Sequence, residues 1–349
     1  MQLLQQTIEK IVCLDQKIAA EARERVDHLI KPAKSLGRLE DLAVQLAGIT
    51  RNLKPVFDQK AIIVMAADHG VYEEGVTSNP QEVTVGQTLN FAKGITGVCA
   101  IGQVSGARIV PVDIGIKVEM PSDVGIIIRK VKNGTDNMAK GPAMTREEAI
   151  KAIEVGIEIA NEEIKKGVQI LGTGEMGIGN TTPSTAILSV LLRCDPLGIT
   201  GRGAGLGKGG LEHKAEVIRR AIHINEPNPD DVIDVLEKVG GLEIGGMAGV
   251  MLGAAANRIP VVVDGFISTI AAIIAVGIEP KTKDYLVTSH ASQEPGAKLA
   301  SELLGLEPML MMNMCLGEGS GAALAFPIIE AACSILKNMP TFAEIGMEI

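Results

Sequence analysis

From residue 56 onward the chain repeats one pattern: a short, mainly apolar run, a loop carrying Gly with Asp, His or Glu, then a stretch of helical periodicity. The runs fall at 61–66, 108–112, 168–171, 260–263, 285–288 and 309–312, and the loops after them read AADHG, VDIGI, GTGEMGIGNTT, VDGF, TSHAS and LGEGSG. A strand that is apolar at nearly every position must be covered on both faces, and its alternation with helices builds βαβ units around a parallel sheet. In such sheets ligands bind outside the carboxyl ends of the strands, where these loops begin. The expected fold is α/β, a parallel sheet flanked by helices.

At 349 residues the chain exceeds what one core usually holds. Residues 56–321 are expected to form the large α/β domain. Residues 1–55 read as helices, with Leu3, Leu4, Ile8, Ile11 and Val12 at helical spacing, a second periodic stretch at 39–49, and breaks at Lys31-Pro32 and Ser35-Leu36-Gly37. A final helix at 322–337 is expected to join them, so that 1–55 plus 322–349 make a smaller helical domain.

Hydrophobic residues are 46% of the chain but aromatics only 2%, with no Trp, so the core must be built from Ala, Val, Ile, Leu and Met. The net charge is -9 and no long basic run exists, which argues against a nucleic-acid partner. Any anion must then be held by backbone N–H groups and a few local cations. The five cysteines are scattered and never form C-x-x-C, as expected of free thiols in a reducing cytosol. The first residues lack the features of a signal peptide, and the apolar stretch 265–278 falls short of the roughly 20 residues of a spanning helix. A cytoplasmic protein without a membrane segment is expected.

Gly172, Gly174 and Gly177 satisfy G-x-G-x-x-G, with Asp195 near the distance of a ribose-binding acid, and Gly205, Gly207 and Gly210 satisfy it again. The first match misleads and the second is weak. Glu175 would sit inside the turn that must accept a pyrophosphate, and no clear strand precedes the second match. Gly209 after Lys208 also rules out a Walker A loop. What remains is Gly177, Gly179, Asn180, Thr181 and Thr182 ahead of a helix with Pro183 in its first turn, a set of N–H and hydroxyl groups suited to an anion. With Arg202, Lys208 and Lys214 nearby in sequence, the two Gly-rich segments could close on one monophosphate; a structural turn and a solvated surface loop are the alternatives. Glu318 lies between Gly317 and Gly319 at the start of a small-residue helix, where the run 309–312 is expected to shield it and favour a role as base. An ordinary first-turn glutamate is the competing reading. Asp68, His69, Asp113, Asp264 and His290 all follow apolar runs and allow a metallohydrolase cluster as a rival, although no two histidines are spaced as a helical ligand pair.

Together, KPAKSLGRLE, MAADHGV, SNPQEVT, VDIGI, GEMGIGNTT, GRGAGL, DGFIS, SHASQEPG and LGEGSGAAL give a chain that resembles the nicotinate-nucleotide:dimethylbenzimidazole phosphoribosyltransferases over nearly its whole length. The resemblance implies a Rossmann-like sheet, a small helical domain from both chain ends, and a homodimer, with a heterodimer of homologous subunits as the alternative. It implies transfer of the phosphoribosyl group of nicotinate mononucleotide to a benzimidazole nitrogen, with inversion at C1′ and no metal or other cofactor. By the same likeness Glu318 is the base and Glu175 lies near the ribose. Gly177, Gly179, Asn180, Thr181, Gly203, Gly205, Lys214 and Ser292 would hold the nucleotide; Ser78, Pro80, Gly86, Gln87 and Leu316 would belong to the acceptor pocket.

Two departures from the family pattern bear on specificity. Val85-Gly86-Gln87 stands where the family usually has any residue and then Gln-Met, so a pocket amide is missing or displaced by one position. Gly203-Ala204-Gly205 replaces a more usual Gly-Thr-Gly and removes a hydroxyl. The acceptor is therefore expected to extend beyond dimethylbenzimidazole to other benzimidazoles or to phenol or p-cresol, which would give an O-glycoside. The remaining rivals are a dinucleotide-dependent oxidoreductase and a non-catalytic partner subunit.

Overall fold

The computed structural model describes residues 2–203, 205–207 and 209–347. Ala204 and Lys208, both singled out from the sequence, lie outside the described residues. A parallel sheet of six strands is present among those described: β1 (Lys60–Ala67), β2 (Ala107–Gly115), β3 (Ile127–Ile128), β4 (Ile170–Met176), β5 (Val261–Val263) and β6 (Leu286–Thr288). The strands run in the order β3-β2-β1-β4-β5-β6. The chain thus starts mid-sheet, builds outward to β3, then returns to the other side of β1. The direction of winding reverses between β1 and β4, which pair from Lys60↔Ile170 to Ala66↔Met176. That reversal opens a crevice at the carboxyl ends of these two strands.

Both faces of the sheet are covered. Every residue of β1 is buried, and its side chains alternate between two packed layers. Ile63 and Met65 join a cluster with Ile153, Met247, Val250 and Ile274, from helices Arg146–Lys165, Leu242–Ala256 and Phe266–Ile278. Ile62 and Val64 join Val26, Leu46, Phe326 and Ile329, from helices Gln16–Asp27, Arg38–Thr50 and Ser320–Asn338. The scarcity of aromatics has a packing counterpart. A Cβ on Gly156 would lie 1.9 Å from the Gly246 carbonyl oxygen, so helices Arg146–Lys165 and Leu242–Ala256 meet backbone to backbone.

Several boundaries differ from the sequence reading. The run at 168–171 becomes β4, displaced toward the carboxyl side. The apolar spacing from Leu3 to Val12 is helical only over Gln2–Ile8; Ile11 and Val12 lie in the connection to a separate helix Gln16–Asp27, which starts where Asp15 accepts the backbone N–H groups of Lys17 and Ile18, each at 3.2 Å. The run 309–312 forms no strand. Leu310 makes one isolated bridge to His290, and Met311 is 86% exposed, so this run does not shield Glu318. The last helix begins at Ser320, two residues before the expected start, and is long and apolar enough by length and composition to cross a membrane. Its most apolar window is 61% buried inside the fold, as in a core helix. All five cysteines are unpaired.

Candidate functional site

The crevice at the β1/β4 reversal holds a cleft of ≈ 350 Å³. Glu175, at the end of β4, and Glu318, ahead of helix Ser320–Asn338, both line it. They touch: the Glu318 backbone N–H donates to Glu175 Oε1 at 3.3 Å. This approach requires an unusual turn in which Gly317, Glu318 and Gly319 have φ of 80°, 65° and 91°. For Glu318 the left-handed conformation costs about 1–2 kcal/mol, which the surrounding contacts must offset. Gly317 is needed for space as well, since a Cβ there would lie 2.2 Å from Glu175 Oε1.

The Glu318 side chain is 5% exposed, with each oxygen engaged. Oε1 accepts from Gln87 Nε2 at 2.5 Å, and Oε2 accepts from the Val98 N–H at 3.3 Å. Val98 is the second residue of helix Gly97–Ser105, so the carboxylate also lies at a positive helix end. Behind it, Asp264 accepts from the N–H groups of Gly319, Gly321 and Ala322 at 3.1, 2.7 and 3.2 Å, satisfying the first turn of helix Ser320–Asn338.

Burial pushes the Glu175 carboxyl up to about 7, with Asp264 and Glu243 adding like-charge repulsion and the Asn180 amide pulling the other way. Burial also pushes Asp264 up to about 7 against its amide donors. His69 and Glu243, both fully buried, face each other at 3.0 Å, and Glu243 turns the net shift of the imidazole upward although burial alone would lower it. For Glu175 the sign is definite. Between its ordinary value of 4.5 and about 7 the folded state holds a proton that the unfolded state has lost, so this group lowers stability as pH rises through that interval. Glu175→Gln should therefore gain stability relative to the wild type from pH 4.5 to 7. Parallel denaturant titrations across that range would show a growing difference, and a constant one would contradict the assignment.

Lys214 supplies the cation. It lies on helix Gly210–Asn225, is 1% exposed, and donates through Nζ to Thr181 Oγ1 at 2.7 Å and to the Gly201 carbonyl oxygen at 3.2 Å. Burial pushes its ammonium down to about 8, with Glu294 opposing at longer range. Among the described residues no carboxylate lies within ion-pair distance of it. An ammonium buried beside Thr181, at the start of helix Thr181–Leu192, is a natural seat for a phosphate.

Of the residues chosen from sequence, Glu318, Glu175, Gly177, Asn180, Thr181, Gly203, Ser292, Gln87 and Leu316 line the cleft, while Gly179, Gly205 and Lys214 are absent from its wall, Lys214 reaching it through Thr181. Ser78 and Pro80 do not line it; Asn79 and Val83 do. Gly86 is also absent from the wall, and a Cβ there would meet nothing within 4 Å. Gln87, one residue on in helix Glu82–Lys93 and so about 100° around its axis, brings the amide into the cleft instead. The sequence reading did not select Phe266, Ile267 and Ser268, although DGFIS was noted as a motif, nor Glu294 or Cys315.

The rival clusters do not assemble a site of their own: of the five candidate metal ligands only Asp264 and His290 meet in the cleft, 3.8 Å apart. Gly172 and Gly174 lie inside β4 and not in a phosphate turn, and a Cβ on Gly174 would lie 2.3 Å from the Glu318 carbonyl oxygen, which explains a glycine in a strand. Asp113 accepts from the Ile116 N–H at 2.8 Å and so orders its own loop, while Asp68 accepts from the Lys117 N–H at 2.8 Å and ties the loop after β1 to the one after β2. Among the described residues no three His, Cys, Asp or Glu side chains gather as a metal site.

Residues 11–347 match a family model described as phosphoribosyltransferase. The chain is 68% identical over its full length, and over 100% of the relative, to the nicotinate-nucleotide–dimethylbenzimidazole phosphoribosyltransferase of Alkaliphilus metalliredigens. It is 55% identical to the enzyme of that name from Clostridioides difficile, covering 99% of each. The crystal structure of CobT from Thermus thermophilus superposes with a TM-score of 0.91 at 40% identity, covering 95% of this chain and 99% of that one.

Proposed function

This chain belongs to the nicotinate-nucleotide–dimethylbenzimidazole phosphoribosyltransferase family, and from that premise we propose that it moves the 5-phosphoribosyl group of nicotinate mononucleotide onto dimethylbenzimidazole or a related benzimidazole, with Glu318 as base. The observation that carries this reading is the juxtaposition of a cleft carboxylate held by two donors with a buried ammonium, Lys214, that reaches the same cleft through Thr181 and, among the described residues, has no carboxylate within ion-pair distance.

The nucleotide phosphate sits against Gly177, Gly179, Asn180, Thr181, Gly203 and Gly205, with Lys214 supplying the charge and Ser292 a further contact. One acceptor nitrogen attacks C1′ while the bond from C1′ to the nicotinate nitrogen breaks. The bonding pair returns to the pyridine ring and neutralises its positive charge. Glu318 takes the proton from the acceptor's other nitrogen, so the products are nicotinate and the α-riboside phosphate. Glu175, beside the Glu318 backbone, supports developing positive charge on the ribose when ionised. Leu316 and Gln87 border the acceptor. No step needs a metal or a redox cofactor. The family likeness also supports residues 1–55 with 322–349 as a small helical domain, a cytoplasmic location, and a homodimer; a heterodimer with a homologous subunit is the alternative.

Acceptor choice is the finer point. The case for a relaxed acceptor drew on the missing amide at Gly86, but Gln87 restores an amide to the cleft, which favours benzimidazoles. Incubation with nicotinate mononucleotide and equimolar dimethylbenzimidazole, benzimidazole and phenol, with ribosides identified by mass, should give N-ribosides in excess. A predominant phenolic O-riboside would overturn that preference.

A further inference from the structure

Helix Glu82–Lys93 places Gln87 and Asn90 three residues apart on one face. Asn90 Nδ2 donates to Gln87 Oε1 at 3.3 Å, and Gln87 Nε2 donates to Glu318 Oε1 at 2.5 Å. A primary amide accepts at one end and donates at the other, so engaging its oxygen leaves the amino end for the carboxylate. The second oxygen of Glu318 is held from another element, by the Val98 N–H. We propose that Asn90 and Gln87 form an amide clamp that fixes the rotation of the Glu318 carboxylate toward the acceptor, Gln87 by direct donation and Asn90 as a positioning residue acting through it. The inference rests on Glu318 being the base.

The last torsion of a glutamate side chain is broad, so a lone carboxylate would sweep many orientations in the cleft. A base out of line by about 1 Å can lose on the order of 10²-fold in rate. Donors on both oxygens remove that freedom, and the direction of the chain matters: Asn90 to Gln87 to Glu318 aims each donor at the next acceptor. Asn90→Asp keeps the shape but reverses the first link. A carboxylate at position 90 can only accept, so Gln87 turns its amino end toward it and presents its oxygen to Glu318. Asn90→Leu merely releases the Gln87 amide. A packing role for Asn90 predicts the isosteric change to be the milder one; the clamp predicts the opposite.

The test is steady-state kinetics with nicotinate mononucleotide and dimethylbenzimidazole on Asn90→Asp, Asn90→Leu, Gln87→Leu, Glu318→Gln and the Gln87→Leu/Glu318→Gln double variant, each shown to be folded by thermal unfolding. Gln87→Leu should lower kcat about tenfold or more, the effect of losing a charge-assisted hydrogen bond, with the nucleotide KM unchanged. Asn90→Asp should lower kcat more than Asn90→Leu. Gln87→Leu should add nothing on top of Glu318→Gln, because the group it orients is gone. A raised acceptor KM at constant kcat, a milder effect of Asn90→Asp than of Asn90→Leu, or an additive loss in the double variant would each overturn the clamp. Wild-type kcat in Glu318→Gln would remove the base reading itself, a failure that this single variant identifies separately.

Discussion

Glu318→Gln is expected to lower kcat by roughly 10²–10⁴-fold while leaving the affinity for nicotinate mononucleotide unchanged, the range over which positioned general bases act. The substitution keeps the side-chain volume; the amide oxygen can accept from Val98 while the Gln87 amide rotates to offer its oxygen to the new amino group, so the turn through Gly317 and Gly319 has no reason to rearrange. What disappears is an atom able to take the acceptor's proton. The phosphate seat lies on other elements, at Thr181 and Lys214, so nucleotide binding, read by calorimetry, should be preserved. Loss of binding together with turnover would mean that Glu318 supports the cleft instead of the chemistry.

Lys214→Met is expected to act on the other half of the site and in an opposite way on stability. The methionine fills similar space but removes a buried ammonium whose affinity for its proton burial has already lowered. Removing a buried charge that, among the described residues, has no carboxylate within ion-pair distance is neutral or stabilising for the folded protein, so the melting temperature should hold or rise. The nucleotide loses a charged partner worth about 1.5–3 kcal/mol, so its KM should rise roughly ten- to hundredfold. This pairing of a stable protein with weak nucleotide binding separates a ligand-directed lysine from a structural one. A falling melting temperature with unchanged KM would place Lys214 in the scaffold.

The sheet was legible where its strands are buried on both faces: at 61–66, and at 110–112 beyond the exposed Arg108, a hydrophobic run needs no periodicity to identify it. β4 was harder, because Gly172, Thr173, Gly174 and Glu175 dilute its apolar character, and Gly174 is there to let the Glu318 backbone approach. The two-residue edge strand β3 offers no pattern at all. The opposite error arose at 309–312, where a hydrophobic run with exposed Met311 and Met312 mimics a strand. In the cleft, the Gly-rich loop and the glycines flanking Glu318 were readable as residue types. Which of Gly86 and Gln87 faces the cleft was not, since one residue along a helix changes the direction by about 100°. Nor could a sequence reveal that Glu318 adopts a left-handed backbone or that the Lys214 ammonium is buried against Thr181 and the Gly201 carbonyl.

The most direct test of the central claim is proton NMR of a reaction containing the wild-type protein, nicotinate mononucleotide and dimethylbenzimidazole. Each nicotinate released should be matched by one N-riboside 5′-phosphate whose C1′ proton has the coupling of the α anomer. Release of nicotinate with free ribose 5-phosphate, retention of the β configuration, or no reaction at all would contradict the account.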